Sequence, residues 1–497
     1  MPTPQEIWET ADLAERRLAG VALNPSAPED VLLRLLADGS PAVRMVLCRD
    51  RILPDAVVEA VLKHPDTHTR SFFARNPHVD PAQRVRLVDD PEWFVRAHLA
   101  EAPHVPCGWR VRPLPDWAVV RMISTYDSEA LGGTFRRQVS TAMWRSMPTH
   151  PVAEVRRWGV GLWDHLSADT RAALLADPDE GVRERALSHL REEDPAWVER
   201  MLPDRSCHGR TRALMFLALS RAVVDSVLTA PVGPQDRAMI ANNPGLPADV
   251  VALLAADPDP EVRETIARRA DLAPAELRAL AVDPDPEVRL ALSVHPALSE
   301  GERAAIDYEV PVDRCFDHSP VPFVPRDPED VRRDAHSVHP LLRRRAAADH
   351  SLPPDLVARL AEDDDLGVRV LLAQNHPDAP APLLLRSFLE YTGHSREHLT
   401  ARPNFPTTGL AAYADHEDPM VRALTARDPE AAPATVERLT HDPDPAVRAA
   451  LARHPSLPPS RLRELLDDEE LAHPAAANPA LAPETMHELV AAHGHRA

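Results

Sequence analysis

Apolar residues fall in two short helical stripes within each stretch of some 26 residues, as the segment from Asp444 to Leu466 shows. Val447, Ala450 and Leu451 stand at i, i+3 and i+4, which places them on one helical face. Asp444 is a natural N-cap, and Pro445 takes the first helical position, where its missing N–H costs nothing. His454 precedes Pro455 and is pushed out of the helical region, so the first helix stops there. A second helix then starts at Ser456-Leu-Pro458, turns Leu462, Leu465 and Leu466 inward, and ends at Asp467-Asp468. Isolated helices of two to three turns are marginal in water, so these units must stack to survive.

The unit is restated along the chain. Asp257-Pro-Asp-Pro-Glu-Val-Arg263 returns as Asp283-Pro-Asp-Pro-Glu-Val-Arg289 and as Asp442-Pro-Asp-Pro-Ala-Val-Arg448. The arginine recurs from Arg17 to Arg448 at steps of mostly 25 to 29 residues, with one long step from Arg96 to Arg156. A fixed period of this size predicts an all-α solenoid of about 15–17 two-helix repeats. The rhythm divides the chain into helical repeats over 1–96, an irregular aromatic-rich stretch over 97–155, and repeats over 156–300. An irregular Pro/His-containing stretch follows over 301–340, then regular repeats over 341–497 ending in a C-terminal cap. The 97–155 stretch reads as a degenerate repeat around Arg121 plus an inserted loop.

The pattern Asp-Pro-x-Val-Arg-x-x-Leu-Ala-x-(His/Asn)-Pro-x-Leu-Pro-x-x-Leu-x-x-Leu is carried best by Arg263–Leu280, Arg369–Leu385 and Arg448–Leu466. It resembles the leucine-rich repeat variant, a relative of HEAT-type helical repeats. The resemblance implies a right-handed superhelix used chiefly as an interaction surface. One member of that family carries a cysteine-rich iron–sulfur module. Here the repeats begin almost at once and Cys48 stands alone, so that cofactor is not carried over.

Composition narrows the partners. The net charge is −21, with 77 acidic and 56 basic residues, and Lys63 is the only lysine. That balance argues against nucleic acid, whose phosphates call for a basic stripe, and favours a basic protein or peptide. Codon usage in a GC-rich bacterial genome accounts for the Arg, Ala and Pro bias. Cys48, Cys107, Cys207 and Cys315 lie far apart with no metal-ligand spacing. Scattered thiols fit a reducing cytoplasm. No apolar run reaches the ~20 residues of a membrane helix. The expectation is a cytoplasmic monomer without metal or cofactor.

Two sets of residues carry the candidate roles. The first is a structural ladder of Asp259, Arg263, Asp285, Arg289, Arg369, Arg422, Asp444 and Arg448, in which an Asp at the helix start and the Arg one turn on travel together and link neighbouring repeats. Histidines at His64, His295, His339, His454 and His473 stand before proline in what reads as one slot shared with Asn24, Asn76 and Asn243, and so as backbone ligands, not metal ligands. His318, His336 and His339 crowd the second irregular stretch, with His350 just beyond it, and show no helical metal-ligand spacing. The second set is a partner surface of Trp109, Trp117, Arg136, Arg137, Trp144, Trp158 and Trp163, because specificity is expected where the rhythm breaks and Trp and Arg anchor interfaces.

No nucleophile elbow, phosphate loop or dinucleotide fingerprint occurs in the sequence. The reading is a non-catalytic interaction scaffold. A HEAT-like nucleic-acid-binding or repair protein is one alternative, and a regulatory module for a separately encoded effector is another.

Overall fold

A computed structural model of the chain describes residues 8–105, 109–127, 131–229, 234–311 and 326–494. These residues form α-helices and short 3₁₀ helices, with no strand among them. Most helices span four to eleven residues, punctuated where the prolines predict. In the helix Pro260–Ala267, the Asp259 carboxylate accepts the Glu261 N–H and Val262, Ile266 and Ala267 are buried. Pro274–Leu280 and Pro286–Ser293 follow, the latter capped in the same way by Asp285. The fold is an all-α solenoid of stacked repeats, and it divides into two compact units: residues 144–383, and residues 1–143 with 384–497.

The ladder arginines link neighbouring repeats, but through a different acid from the Asp that caps the helix. In the 144–383 unit, Arg263 Nη1 donates to the Asp257 and Pro258 carbonyls of its own loop, at 2.8 and 3.2 Å. Its Nε and Nη2 reach Asp283 at the head of the next repeat, at 2.7 and 2.9 Å. Asp285, the expected partner of Arg289, caps its own helix instead. The reason is directional: a carboxylate bound to the N–H groups of the first turn faces away from an Arg one turn on. The carboxylate two residues earlier faces the preceding repeat. Arg422 grips Asp442 in the same manner, at 2.8 Å on both arms, while Arg70 grips Asp90. Arg369 makes the loop half of the clasp, to the Asp363 and Asp364 carbonyls, and Arg448 takes Glu470 as its acid. Arg289 turns its Nε to the Asp307 carbonyl.

The pre-proline residues fall into separate positions, not one slot. Ahead of the second helix stand Asn24, Asn76, Asn243, His295, His376, His454 and Asn478. Asn243 Nδ2 donates to the Leu214 and Leu217 carbonyls of the preceding repeat, and its Oδ1 accepts the Gly245 N–H. His295 does the same with a ring: Nδ1 accepts from the Ala297 N–H and Nε2 meets the Arg269 carbonyl at 2.7 Å. An acceptor at Nδ1 leaves the proton on Nε2, so this imidazole is neutral; burial depresses its pKa. His64 instead occupies the clasp position of Asp257, its carbonyl taking Arg70. His339 replaces Asp259 as an N-cap. His473 lies inside a short helix, because Asn478-Pro479 already fills the slot.

Within the 1–143/384–497 unit the last repeat is not a terminal cap. The Asn478 amide donates to Ala452 and His454, and one repeat further on the Asn24 amide donates to the Ala476 and Asn478 carbonyls at 3.0 and 2.6 Å. The first repeat thus stacks on the last as its successor. Gly20 permits the approach: a Cβ there would overlap the His473 carbonyl and press on the Ala476 methyl.

Two expectations follow. Arg263→Ala should lower stability by about 2–3 kcal/mol, since it strands the buried Asp283 carboxylate. An unchanged melting temperature would remove the clasp as a stabilising element. The acid side of the stability profile should have two stages. Asp177 and Asp442 are held below the usual 3.8 by the Arg156 and Arg422 hydrogen bonds, so what they contribute is complete above that value and lost as pH falls through their lower folded values. Burial lowers His339 to about 3, so its contribution is complete above 6.5 and declines below it. Melting temperature against pH should bend down below about 6.5 and steepen below about 4, and His339→Asn should flatten the first stage. A profile flat down to pH 4 would contradict the neutral histidines.

Candidate interaction surface

The irregular stretch in the 1–143/384–497 unit is built around the helix Asp116–Thr125, which follows Pro115 as second helices elsewhere follow a proline. Ala118, Val119, Met122 and Ile123 are buried on one side, leaving Trp117 on the other with 58% of its surface exposed. Arg112 anchors the entry by donating to the Pro77 and His78 carbonyls, both at 3.2 Å. Arg121 reaches Asp89 at 2.9 Å, and the Tyr126 hydroxyl donates to the Val88 carbonyl at 2.7 Å. The segment 131–140 is tied alongside, with the Leu114 N–H on the Gln138 carbonyl at 2.8 Å and Ser140 on Asp116 at 3.0 Å. Buried Gln138 spans to the Leu99 and Ala100 carbonyls, doing the work of a slot asparagine. Arg136 and Arg137, just before it, are exposed. Trp117, Arg136 and Arg137 are thus exposed residues on two segments that these bonds tie together. Gly132 and Gly133 adopt no left-handed backbone and a Cβ at either would meet nothing within 4 Å, so neither position requires glycine.

Trp109 is used internally. Its half-buried ring lies under the Arg402 guanidinium, 5.5 Å from the ring centroid, in a cluster where Arg427 covers Phe405 and Phe405 meets Phe388 edge-on at 5.8 Å. This brace joins the insertion to the repeats after residue 384, and sequence spacing gave no sign of it. Trp93, exposed at 69% on the helix Trp93–Ala100, is a surface aromatic the sequence reading did not single out; nothing in its local pattern distinguishes it from a core position.

The other three candidate tryptophans, Trp144, Trp158 and Trp163, lie in the 144–383 unit, and two are core residues. Trp144 and Trp163 are only 4% and 3% exposed, so neither can offer contact area to a partner. Trp163 stacks on His189 at 5.7 Å and donates its indole N–H to Glu193 at 2.8 Å. Trp158 is half-buried against Trp144, ring centroids 6.5 Å apart. These bulky rings fill space where Val or Leu packs in regular repeats.

Other chemistry is accounted for structurally. Buried His339 meets Ser293 at 2.7 Å, but its Nδ1 accepts the Leu341 N–H, so Nε2–H donates to the hydroxyl, which in turn donates to the Leu290 carbonyl. The proton flow is opposite to that of an activated serine. Among the described residues no group of three His, Cys, Asp or Glu side chains converges as a metal site; Cys107, Cys315 and His318 lie outside those residues. Cys48 is buried, Cys207 exposed, and no described helix is long and apolar enough to cross a membrane. A cleft of about 350 Å³ beside the terminal junction is lined by Trp8, Leu23, Met45, Val46, the Arg49–Asp50 pair and His473.

Paired short helices, with an Arg–acid clasp and an Asn/His slot recurring along the array, define a helical repeat protein. Residues 445–470 match the family model described as leucine rich repeat variant. The chain is similar to a solved structure described as a leucine-rich repeat variant with a novel repetitive structural motif: identity 24%, over 47% of this chain and 88% of that one, with a TM-score of 0.19. It is also similar to the crystal structure of an engineered protein, at 13% identity over 93% of this chain and 98% of that one, with a TM-score of 0.11. No curated protein matches it.

Single alanine substitutions separate the tryptophans. Trp144→Ala and Trp163→Ala should each cost about 3–5 kcal/mol, whereas Trp117→Ala should stay within about 0.5 kcal/mol of the parent. Comparable melting temperatures for Trp117→Ala and Trp144→Ala would contradict this division.

Proposed function

We propose that the chain is a non-catalytic interaction scaffold for a protein or peptide partner, and that Trp117 with Arg136 and Arg137 forms part of its docking surface. The observation that carries this reading is the 58% exposure of Trp117 on a helix whose other face is core, inside an insertion that interrupts the array. A large aromatic left in water costs hydration unless a partner covers it, and few rotamers need freezing when one does. The clasp supports a protein partner over nucleic acid: Arg70, Arg156, Arg237, Arg263, Arg343 and Arg422 each hold a carboxylate, so the recurring arginines are not a row of phosphate ligands. No membrane-crossing helix occurs among the described residues, in keeping with a cytoplasmic scaffold.

The test is selection of peptides from a displayed library against the immobilised full chain, with affinities then measured for Trp117→Ala and Arg136→Glu/Arg137→Glu. Loss of at least about tenfold in Kd, with the melting curve retained, is the expected result. Equal affinity in all three proteins would place docking elsewhere.

A further inference from the structure

The junction between the first and last repeats differs from the interior junctions of its unit in having no short covalent link. Neighbouring repeats elsewhere are joined through loops of a few residues, whereas the Asn24–Ala476 and Ser26–Pro479 hydrogen bonds join groups 452 and 453 residues apart. No short link spans this junction, so it depends on its own contacts and on the folded repeats that connect its two sides.

Those contacts are specific. Gly20 sits within the helix Leu13–Leu23, whose start is fixed by a capping box of Asp12 and Glu15. A mid-helix glycine costs about 1 kcal/mol against alanine, and here it serves only to admit the His473 carbonyl and Ala476. One turn later the Asn24 amide takes the Ala476 and Asn478 carbonyls, and Arg16 takes the Glu469 carbonyl at 3.0 Å. The junction also leaves a buried polar atom unpaired. The 350 Å³ cleft opens beside it, and the inaccessible Nε2 of His473, which lines that cleft under Trp8, has no hydrogen-bond partner. Specific contacts, an open cleft with an unpartnered buried nitrogen beside it, and no short tether together describe a joint that can part and re-form.

We propose that this junction is a latch. It opens as a unit while the other repeats stay folded, and the bared face of the last repeat takes a helix bearing a small residue and, one turn on, a side-chain amide. The chain's own first repeat is the occupant in the closed state, through Gly20 and Asn24. The Trp109–Arg402 brace is a separate contact, so it can keep the two segments of the unit together while the latch is open.

Hydrogen exchange by mass spectrometry on the full chain tests this. Asn24→Ala should speed exchange in 13–23 and 472–490 by about tenfold, the weight of one buried hydrogen bond, and leave 445–466 unchanged. Asn243→Ala, the same slot at a linked interior junction, should give a smaller local effect. A synthetic peptide of residues 11–28 added to Gly20→Leu should restore protection to 472–476, and the peptide with Asn24→Ala should bind about tenfold more weakly. If Gly20→Leu loses its helical circular dichroism, the Asn24→Ala chain receives the peptide instead. Uniform acceleration across 13–23, 445–466 and 472–490, no acceleration at all, or no protection by the peptide would each overturn the latch.

Discussion

The bidentate reach of one arginine to the head of the next repeat is the constraint on which the rest of this structure depends. Short helices capped by Asp-Pro leave loops rich in backbone carbonyls, and a stack of such loops would bury unpaired acceptors. The guanidinium answers both needs. Its Nη1 satisfies two carbonyls of its own loop, and its Nε and Nη2 fork onto a carboxylate one repeat away, as Arg263 does with Asp283. That carboxylate also accepts the Asp285 N–H, so each clasp fixes the start of the following helix. Lysine, a single ammonium without a planar fork, could not reach all four acceptors at once.

A second row of polar groups sets the spacing on the other side of each helix. Asparagine and neutral histidine interchange there because each offers one donor to the preceding repeat and one acceptor to the N–H two residues on. Arg269 fills the position in another way, donating to Ala241 and Asn243 while binding Asp271. The slot asks for a donor pointed backwards along the stack. Both nitrogens of such a histidine are engaged by backbone, as at His295 and His454.

The aromatic residues that make the first half of the chain distinctive have divided roles. Trp144 and Trp163 fill core space, Trp109 braces two segments of one unit, and Trp117 remains at the surface. Where a repeat loses its regular helix, something bulky must replace the lost packing. Aromatics left over from that task, such as Trp117, stay exposed. Breaks in a solenoid are therefore places of packing repair first and of specificity second.

The amino-acid sequence alone determined the repeat, its period, its two-helix content and its caps, because these depend on groups a few residues apart: Asp259 with Glu261, Pro260 at the helix start, Val262 and Ile266 one turn apart. It also marked where regularity fails and pointed to Trp117. Tertiary structure decided what lies between repeats. Whether Arg263 pairs with the cap Asp259 or with Asp283 depends on how one repeat is rotated on the next, and the period is the same either way. Trp117 and Trp144 are alike as letters and differ only in which side of a helix the neighbouring repeats cover. The meeting of Asn24 with Asn478 obeys the same slot rule as every other step, but the chain carries no spacing that announces it. Its one local trace is Gly20, a residue costly to its own helix and explained only by a backbone 453 residues away.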